Sequence, residues 1–173
     1  MLKLRSISRM KYFLSKKQIQ ILVQSLVISS LDYCNALYIG ISSNLLNQLQ
    51  KIQNSACRVI VGIKRRESIS EHLYNLHWLK VKERIDFKVL LYVFKSLHDL
   101  APCYLSNLLV YNDNSRTPSL FVPPTKSCTG NRAFSVAGPR LWNELPRTLK
   151  CCNDINIFKK ELKHFLFRKS YNI

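Results

Sequence analysis

The chain has 173 residues, 47% of them hydrophobic, and it carries 27 Lys and Arg against 10 Asp and Glu, a formal net charge of +17. This length and hydrophobic content indicate a chain that folds, as one domain or as a domain with an appendage. A charge of this size causes self-repulsion unless a polyanion neutralises it, and nucleic acid is the commonest such partner.

Neither a membrane span nor a secretory signal is predicted. The longest apolar stretch, Ile19 to Leu31, is interrupted by polar residues and is shorter than the ~20 residues that a spanning helix needs. The basic N-terminus lacks the apolar region of a secretory signal. The six cysteines include no Cys-x-x-Cys pair, so we interpret them as reduced thiols of an intracellular protein, in the nucleus or the cytoplasm. We expect Cys34 and Cys57 to pack as small apolar residues.

Two helices are predicted in the first part of the chain. Ser15 and Gln18 form a capping box at the start of a helix that runs from Ser15 to Leu37. This helix stops near Gly40, and a serine at position 42 or 43 caps the next one. Because the connection is short, we expect residues 1–66 to form a hairpin of two antiparallel helices.

The second helix carries a row of cations opposite its apolar side. Its apolar stripe consists of Leu45, Leu49, Ile52, Ala56, Val59, Ile60 and Ile63. Lys51, Arg58 and Arg65 are spaced by seven residues, and no acidic residue lies within four positions of Lys51 or Arg58. In a helix the row spans ~21 Å, which is long enough to follow a phosphate backbone. Surface cations are often merely solvated, and for this helix alone that is the simpler interpretation.

A second basic row is predicted on a long helix from Val81 to His98. Most of the circumference of this helix is apolar, so we expect neighbouring elements to cover it. The exception is the strip formed by Arg84, Lys88 and Lys95, which lies within about 40° of arc. We assign residues 67–110 to the helical region that contains this helix.

The rest of the chain is predicted to be less regular. Residues 111–131 hold three of the six prolines and are predicted to be a loop or linker. Residues 132–173 are predicted to be an extended segment followed by a C-terminal amphipathic helix, with Pro139 at the first position of a short helix between them. Alternation through Phe134 and Val136 predicts a short β-hairpin or extended segment near residues 120–137. The fold class is therefore mainly α, an irregular helical bundle with a Pro-rich loop.

Two cations flank the predicted strand, Arg132 and Arg140. Each of them either contacts phosphate or ties the loop down, and the sequence leaves both interpretations open.

No catalytic site is predicted. Polymerases and metal-dependent nucleases hold two divalent ions with clustered carboxylates, whereas the acidic residues here are few and scattered. The chain has no Walker-type phosphate loop and no Gly-x-Ser-x-Gly motif. His72, His77, His98 and Cys103 match no familiar spacing of metal ligands, so we expect no metal ion and no cofactor.

Several segments follow one another in the order of a known family. They are Leu31–Leu37 (LDYCNAL), Gln53–Ile60 (QNSACRVI), Leu76–Leu79 (LHWL), Phe87–Lys88, Phe94–His98 (FKSLH), Ala101–Pro102 and Arg132–Pro146 (RAFSVAGPRLWNELP). They resemble the C-terminal region of reverse transcriptases from jockey-like non-LTR (LINE) retrotransposons, over nearly the whole chain. The resemblance implies a helical, thumb-like role for residues 1–66 and places the endonuclease and the Asp-Asp polymerase site upstream of the matched region. It also implies template RNA and target DNA as partners.

The net positive charge, the two basic rows and the resemblance to reverse transcriptases together predict a non-catalytic, nucleic-acid-binding fragment of an RNA-directed DNA polymerase. The predicted contacts to RNA or DNA phosphates are Lys51, Arg58, Arg65, Arg84, Lys88, Lys95, Arg132 and Arg140. Two alternatives remain open. The chain is a protein-interaction or scaffold module that meets acidic protein or the upstream polymerase domains, or it is a retroelement relic with no selected function.

Overall fold

A computed structural model describes residues 2–112 and 119–172, and these residues are mainly helical. The helices are α1 (Leu2–Met10), α2 (Lys16–Val23), α3 (Ser29–Asp32), α4 (Ser43–Val61), α5 (Ser70–Asn75), α6 (Val81–Leu97), α7 (Cys103–Ser106), α8 (Phe134–Asn143), α9 (Arg147–Lys150) and α10 (Ile155–Tyr171). A π-helical segment, Gln24–Ile28, joins α2 to α3, and 3₁₀ segments cover Lys11–Phe13, Asn35–Tyr38 and Gly130–Arg132. The prediction of a mainly α fold is confirmed.

The first predicted helix begins where expected but ends early. The capping box of Ser15 with Gln18 is present, yet the helix passes through the π-helical segment and ends at Asp32 rather than Leu37. The hydroxyl of Ser30 donates to the carbonyl of Leu26, four residues back, at 3.1 Å. Such bonds compete with the helical backbone pattern and loosen it. Cys34 then adopts a left-handed conformation and is exposed, so it does not pack as predicted.

The described helices bury two hydrophobic cores. The first core comprises Leu4, Ile7, Ile19, Val23, Val27, Ile28, Ala56, Cys57, Ile60, Leu73 and Trp78. The second core comprises Leu79, Leu90, Val93, Phe94, Leu120, Trp142, Leu145, Leu149, Phe158, Leu162 and Leu166. Burial raises the pKa of the Cys57 thiol to about 11, so the thiol is protonated and uncharged at neutral pH. Cys57 is fully buried and packs in the core as a small apolar residue does. The cores follow one another along the chain, and they divide between Trp78 and Leu79.

The predicted β-hairpin is wrong for the described residues. The segment expected to be extended begins α8 at Phe134, and Leu120 forms an isolated antiparallel bridge with Tyr111 instead. The side chain of Asn143 takes the place of a partner strand, because its amide accepts from the N–H of Leu120 at 2.9 Å and donates to the carbonyl of Leu120 at 2.8 Å. Of the predicted loop, residues 113–118 lie outside the described residues, and residues 121–129 form neither helix nor strand.

Helix α8 packs closely on α6, and its proline is placed differently from the prediction. Pro139 lies inside α8, buried, rather than at its first position, so the carbonyl of Ser135 lacks the usual helical donor. A Cβ added at Gly138 would lie 2.9 Å from Cγ2 of Val93. The absence of a side chain at position 138 therefore allows the close approach of α8 to α6.

None of the helices in residues 2–112 and 119–172 is long and apolar enough to cross a membrane.

The connection between the cores depends on a buried amide, and we predict that Gln53→Ala lowers the free energy of unfolding by about 2–3 kcal/mol. Gln53 is fully buried and donates to the carbonyl of Leu79 at 2.8 Å. The matched control is Gln48→Ala in the same helix, because Gln48 is exposed and its loss should change stability by less than ~0.5 kcal/mol. Urea denaturation measures both variants, and equal values for the two would contradict the role assigned to this bond.

Candidate nucleic-acid interface

The basic row on α4 is shorter than the sequence predicts. Lys51 is exposed and lies opposite the buried side of α4, but the helix ends at Val61, and Gly62 follows with φ of 83°. Arg65 therefore lies beyond the helix, where it is exposed. The helical geometry that would extend the row to Arg65 stops at Val61.

Arg58, the middle residue of that row, is largely occupied within the protein. Its Nη2 donates to the carbonyl of Arg65 at 3.3 Å and to the carbonyl of Glu67 at 3.2 Å. These carbonyls belong to the turn that follows α4, so the guanidinium holds that turn against the helix. Arg58 is better described as a residue that positions Arg65 than as a phosphate contact.

The strip on α6 contains one neutralised cation and two others. Nη1 of Arg84 lies 2.7 and 3.0 Å from the two carboxylate oxygens of Asp32, and its Nε donates to the carbonyl of Leu79 at 2.9 Å. The side chain of Arg84 is only 15% exposed. Lys88 and Lys95 are half-buried, and neither makes an ion pair with a described residue. The strip thus retains two cations for an external anion.

The acidic residues of α6 lie away from this strip. Asp86 is buried and pairs with Lys82 at 3.1 Å, and burial raises its pKa. Burial also raises the pKa of Glu83. Neither carboxylate forms an ion pair with Lys88 or Lys95, so the positive charge of the strip is not cancelled on its own helix.

Arg132 and Arg140 both make bonds that tie the loop down. Nε of Arg132 donates to the carbonyl of Ile39 at 3.0 Å, and Nη2 of Arg140 donates to Oδ1 of Asn131 at 3.2 Å. Both side chains are exposed. Each guanidinium keeps further N–H groups for an outside partner, because an arginine has five.

The structure groups Arg65 with cations that the sequence analysis did not single out. Helix α1 buries only Leu4 and Ile7 and packs on α4. The amine of Lys11, just after α1, lies 3.2 Å from the position of an added Cβ at Gly62, where α4 ends. We define the N-terminal basic cluster as Arg9, Lys11, Lys64, Arg65 and Arg66, all exposed, with α1 and α4 placing Lys11 beside the turn that carries the last three. In the sequence, Leu4 and Ile7 are three residues apart, as on one face of a helix, and Arg5 and Arg9 lie between and after them. This pattern would have revealed α1.

Two features within the cluster lower its effective charge. Glu67 lies in the same turn, and its carboxylate accepts from the backbone N–H of Lys64 at 2.8 Å. Cations at the C-terminal end of a helix also interact favourably with the helix dipole. Five cations against one carboxylate nevertheless leave a strongly positive surface.

No protein-family model matches the chain, and no match is found among curated proteins or among solved structures. The resemblance to jockey-like reverse transcriptases therefore stays a prediction from the residues that carry it. Among the described residues, no group of three or more His, Cys, Asp or Glu is placed to hold a metal ion.

The pairing of Asp32 with Arg84 leads to a stability prediction. We expect Asp32→Ala to lower the free energy of unfolding by about 1.5–3 kcal/mol, because a half-buried guanidinium loses its charged acceptor. Glu161→Ala, at an exposed position of α10, is the control and should cost less than ~0.5 kcal/mol. A double-mutant cycle with Arg84→Met isolates the pair, and a coupling energy near zero would show that the two side chains do not interact in solution.

Proposed function

We propose that the chain is a non-catalytic, nucleic-acid-binding fragment similar to the C-terminal region of a jockey-like non-LTR retrotransposon RNA-directed DNA polymerase. It contacts RNA or DNA phosphates through the exposed cations of its N-terminal half and of α6. In this proposal the protein works in the nucleus or the cytoplasm, and the upstream polymerase domains of the same element are a further partner.

The proposal rests on one observation, which is the charge imbalance of residues 1–66. These residues hold eleven Lys and Arg but a single acidic residue, Asp32. The carboxylate of Asp32 is committed to Arg84, which belongs to the other part of the chain. No acidic side chain within residues 1–66 is therefore left to neutralise the remaining cations. A polyanion supplies this neutralisation and gains affinity from the release of its own counterions.

The contacts divide into two groups under this proposal. Lys51, Arg65, Lys88 and Lys95 meet phosphate directly, as do the other members of the N-terminal basic cluster. Arg58 and Arg84 mainly hold neighbouring backbone, whereas Arg132 and Arg140 each make one bond within the protein and keep further N–H groups for phosphate. Phosphate contacts of this kind fix the position of the protein on the nucleic acid and do not read its sequence.

A protein-interaction module is the second candidate function, and exposed apolar surface near the N-terminus favours it. Leu2 is 79% exposed and Leu26 is 41% exposed. Both line a shallow groove of about 440 Å³ together with Leu31 and Ile52. The C-terminal helix α10 does not add to this surface, because Phe158, Leu162 and Leu166 are buried in the second core. Concentration-dependent light scattering tests this candidate, since an uncovered apolar surface promotes self-association.

The salt dependence of binding to a DNA duplex tests the proposed function. We expect the logarithm of affinity to fall linearly with the logarithm of salt concentration. The triple variant Lys11→Glu, Arg65→Glu, Arg66→Glu should reduce the slope by about 2.7, because each phosphate contact contributes about 0.9. Fluorescence anisotropy with a labelled duplex at several salt concentrations measures this change.

The matched control reverses three exposed cations elsewhere, at Lys126, Arg147 and Lys160, and changes the net charge equally. It should leave most of the slope intact. If both triple variants lower the slope equally, net charge alone drives binding and the cluster is not a site. If the unmodified chain shows no salt-dependent binding, the proposal is rejected, and a relic without selected function is then the better description.

A further inference from the structure

A groove between the second half of the chain and residues 36–39 has aromatic side chains and one cation, Arg132, in its lining. It has a volume of about 350 Å³ and lies between α6, α7, the start of α8 and the segment that includes Ala36, Leu37 and Ile39. Tyr92 of α6, Tyr104 of α7 and Phe134 of α8 contribute rings to its lining. Among the described residues that line it, none is acidic.

The two tyrosines are open to an incoming ligand. Tyr92 is 41% exposed and Tyr104 is 66% exposed. Tyr92 belongs to α6, which buries most of its apolar residues, whereas the short helix α7, which carries Tyr104, has no buried residue. Neither phenol hydroxyl makes a hydrogen bond to another described residue. A planar ring that is partly exposed and held by a helix offers its face for stacking at a small cost in conformational entropy.

Positive charge lies in the lining of this groove and beside it. Lys88 is one helical turn before Tyr92 and Lys95 is one turn after it, so the three side chains share one face of α6, and of these three only Tyr92 lines the groove itself. On the other wall, Arg132 lines the groove and is held there by its bond to the carbonyl of Ile39. Gly40 permits this position, since an added Cβ would lie 2.6 Å from Cγ of Arg132. The occupant that fits this arrangement is planar, largely apolar on its faces, and attached to negative charge.

We infer that this groove holds an unpaired base of a single-stranded nucleic acid, stacked on Tyr92 or Tyr104, with the neighbouring phosphates beside Lys88, Lys95 and Arg132. The inference rests on the proposed function and deepens it, because it specifies single strands where phosphate contacts alone do not distinguish them from duplexes. A base within a duplex is already stacked on both faces and cannot enter the groove. An acidic peptide would satisfy the cations but offers no planar group to the two rings.

Alanine variants at the two tyrosines test the inference. Binding of a labelled single-stranded oligonucleotide and of a duplex of the same sequence is measured for the full chain, for Tyr92→Ala and for Tyr104→Ala. We expect single-strand affinity to fall by roughly 5- to 100-fold in at least one variant, the range that stacking of one base supports, with duplex affinity unchanged. The salt slope should stay the same, because no charge is removed.

Tyr92→Phe and Tyr104→Phe are the matched controls. They keep the ring and lose only the hydroxyl, so their single-strand affinity should match that of the unmodified chain. Circular dichroism melting establishes that each variant is folded. A Lys95→Gln variant should reduce the single-strand salt slope by about 0.7, the contribution of one phosphate contact.

Three results would overturn the inference. The first is unchanged single-strand affinity in both alanine variants, and the second is an equal loss of affinity for single strand and duplex. The third is a larger loss of affinity for a poly-glutamate peptide than for the oligonucleotide in the alanine variants. In the first two cases, salt-dependent binding by the unmodified chain would leave the proposed function standing. If the unmodified chain binds neither nucleic acid, the proposed function fails together with the inference.

Discussion

The structure depends on how one short, non-helical connection is hydrogen-bonded. Between Trp78 and Val81 the chain leaves the first core and enters the second, and buried backbone without helical partners must find other donors and acceptors. The carbonyl of Leu79 accepts from Gln53 and from Arg84, and the N–H of Val81 donates to the side chain of Gln50. The carbonyl of Trp78 accepts from the hydroxyl of Tyr171, whose pKa burial raises to about 12. Side chains from α4, α6 and α10 thereby meet at one connection, and these polar contacts join the two cores together with the ring contacts of Tyr74 with Phe167 and Tyr171.

The same connection also involves an ion pair that engages one of the predicted phosphate contacts, Arg84. Arg84 donates to the carbonyl of Leu79 and also pairs with Asp32, so the single acidic residue of residues 1–66 is engaged in an ion pair with α6. A cation used in this way lies partly out of water and does not attract a distant polyanion. The exposed cations of residues 1–66 therefore have no acidic residue within that segment to neutralise them.

The sequence predicted those parts of the fold that depend on local chemistry. The caps at Ser15 and Ser42 and the amphipathic character of α4, α6 and α10 follow from spacing that neighbours do not alter. The strand near Phe134 was predicted wrongly, because alternation over five residues fits a helix as well and the partner of Leu120 is an amide 23 residues away. The sequence also did not reveal that Arg58 and Arg84 are hydrogen-bonded within the protein, since their acceptors lie five to 52 positions away. A cation pattern in sequence predicts charge on a surface, but whether that charge is free depends on tertiary contacts.

The packing of α6 explains why the candidate contacts are few and close together. This helix packs against α4, α8 and α10, and Lys88, Tyr92 and Lys95 lie together on a face that these helices leave at least partly open to solvent. The close approach at Gly138 brings α8 against Val93 and forms one wall of the groove, while Gly40 lets Arg132 lie across the opposite side. Both glycines act through the space that they leave for a neighbouring element. Lys88, Tyr92 and Lys95 are consequently presented by a helix that the second core holds in place, and the site that we propose there would need little rearrangement of this helix to bind a ligand.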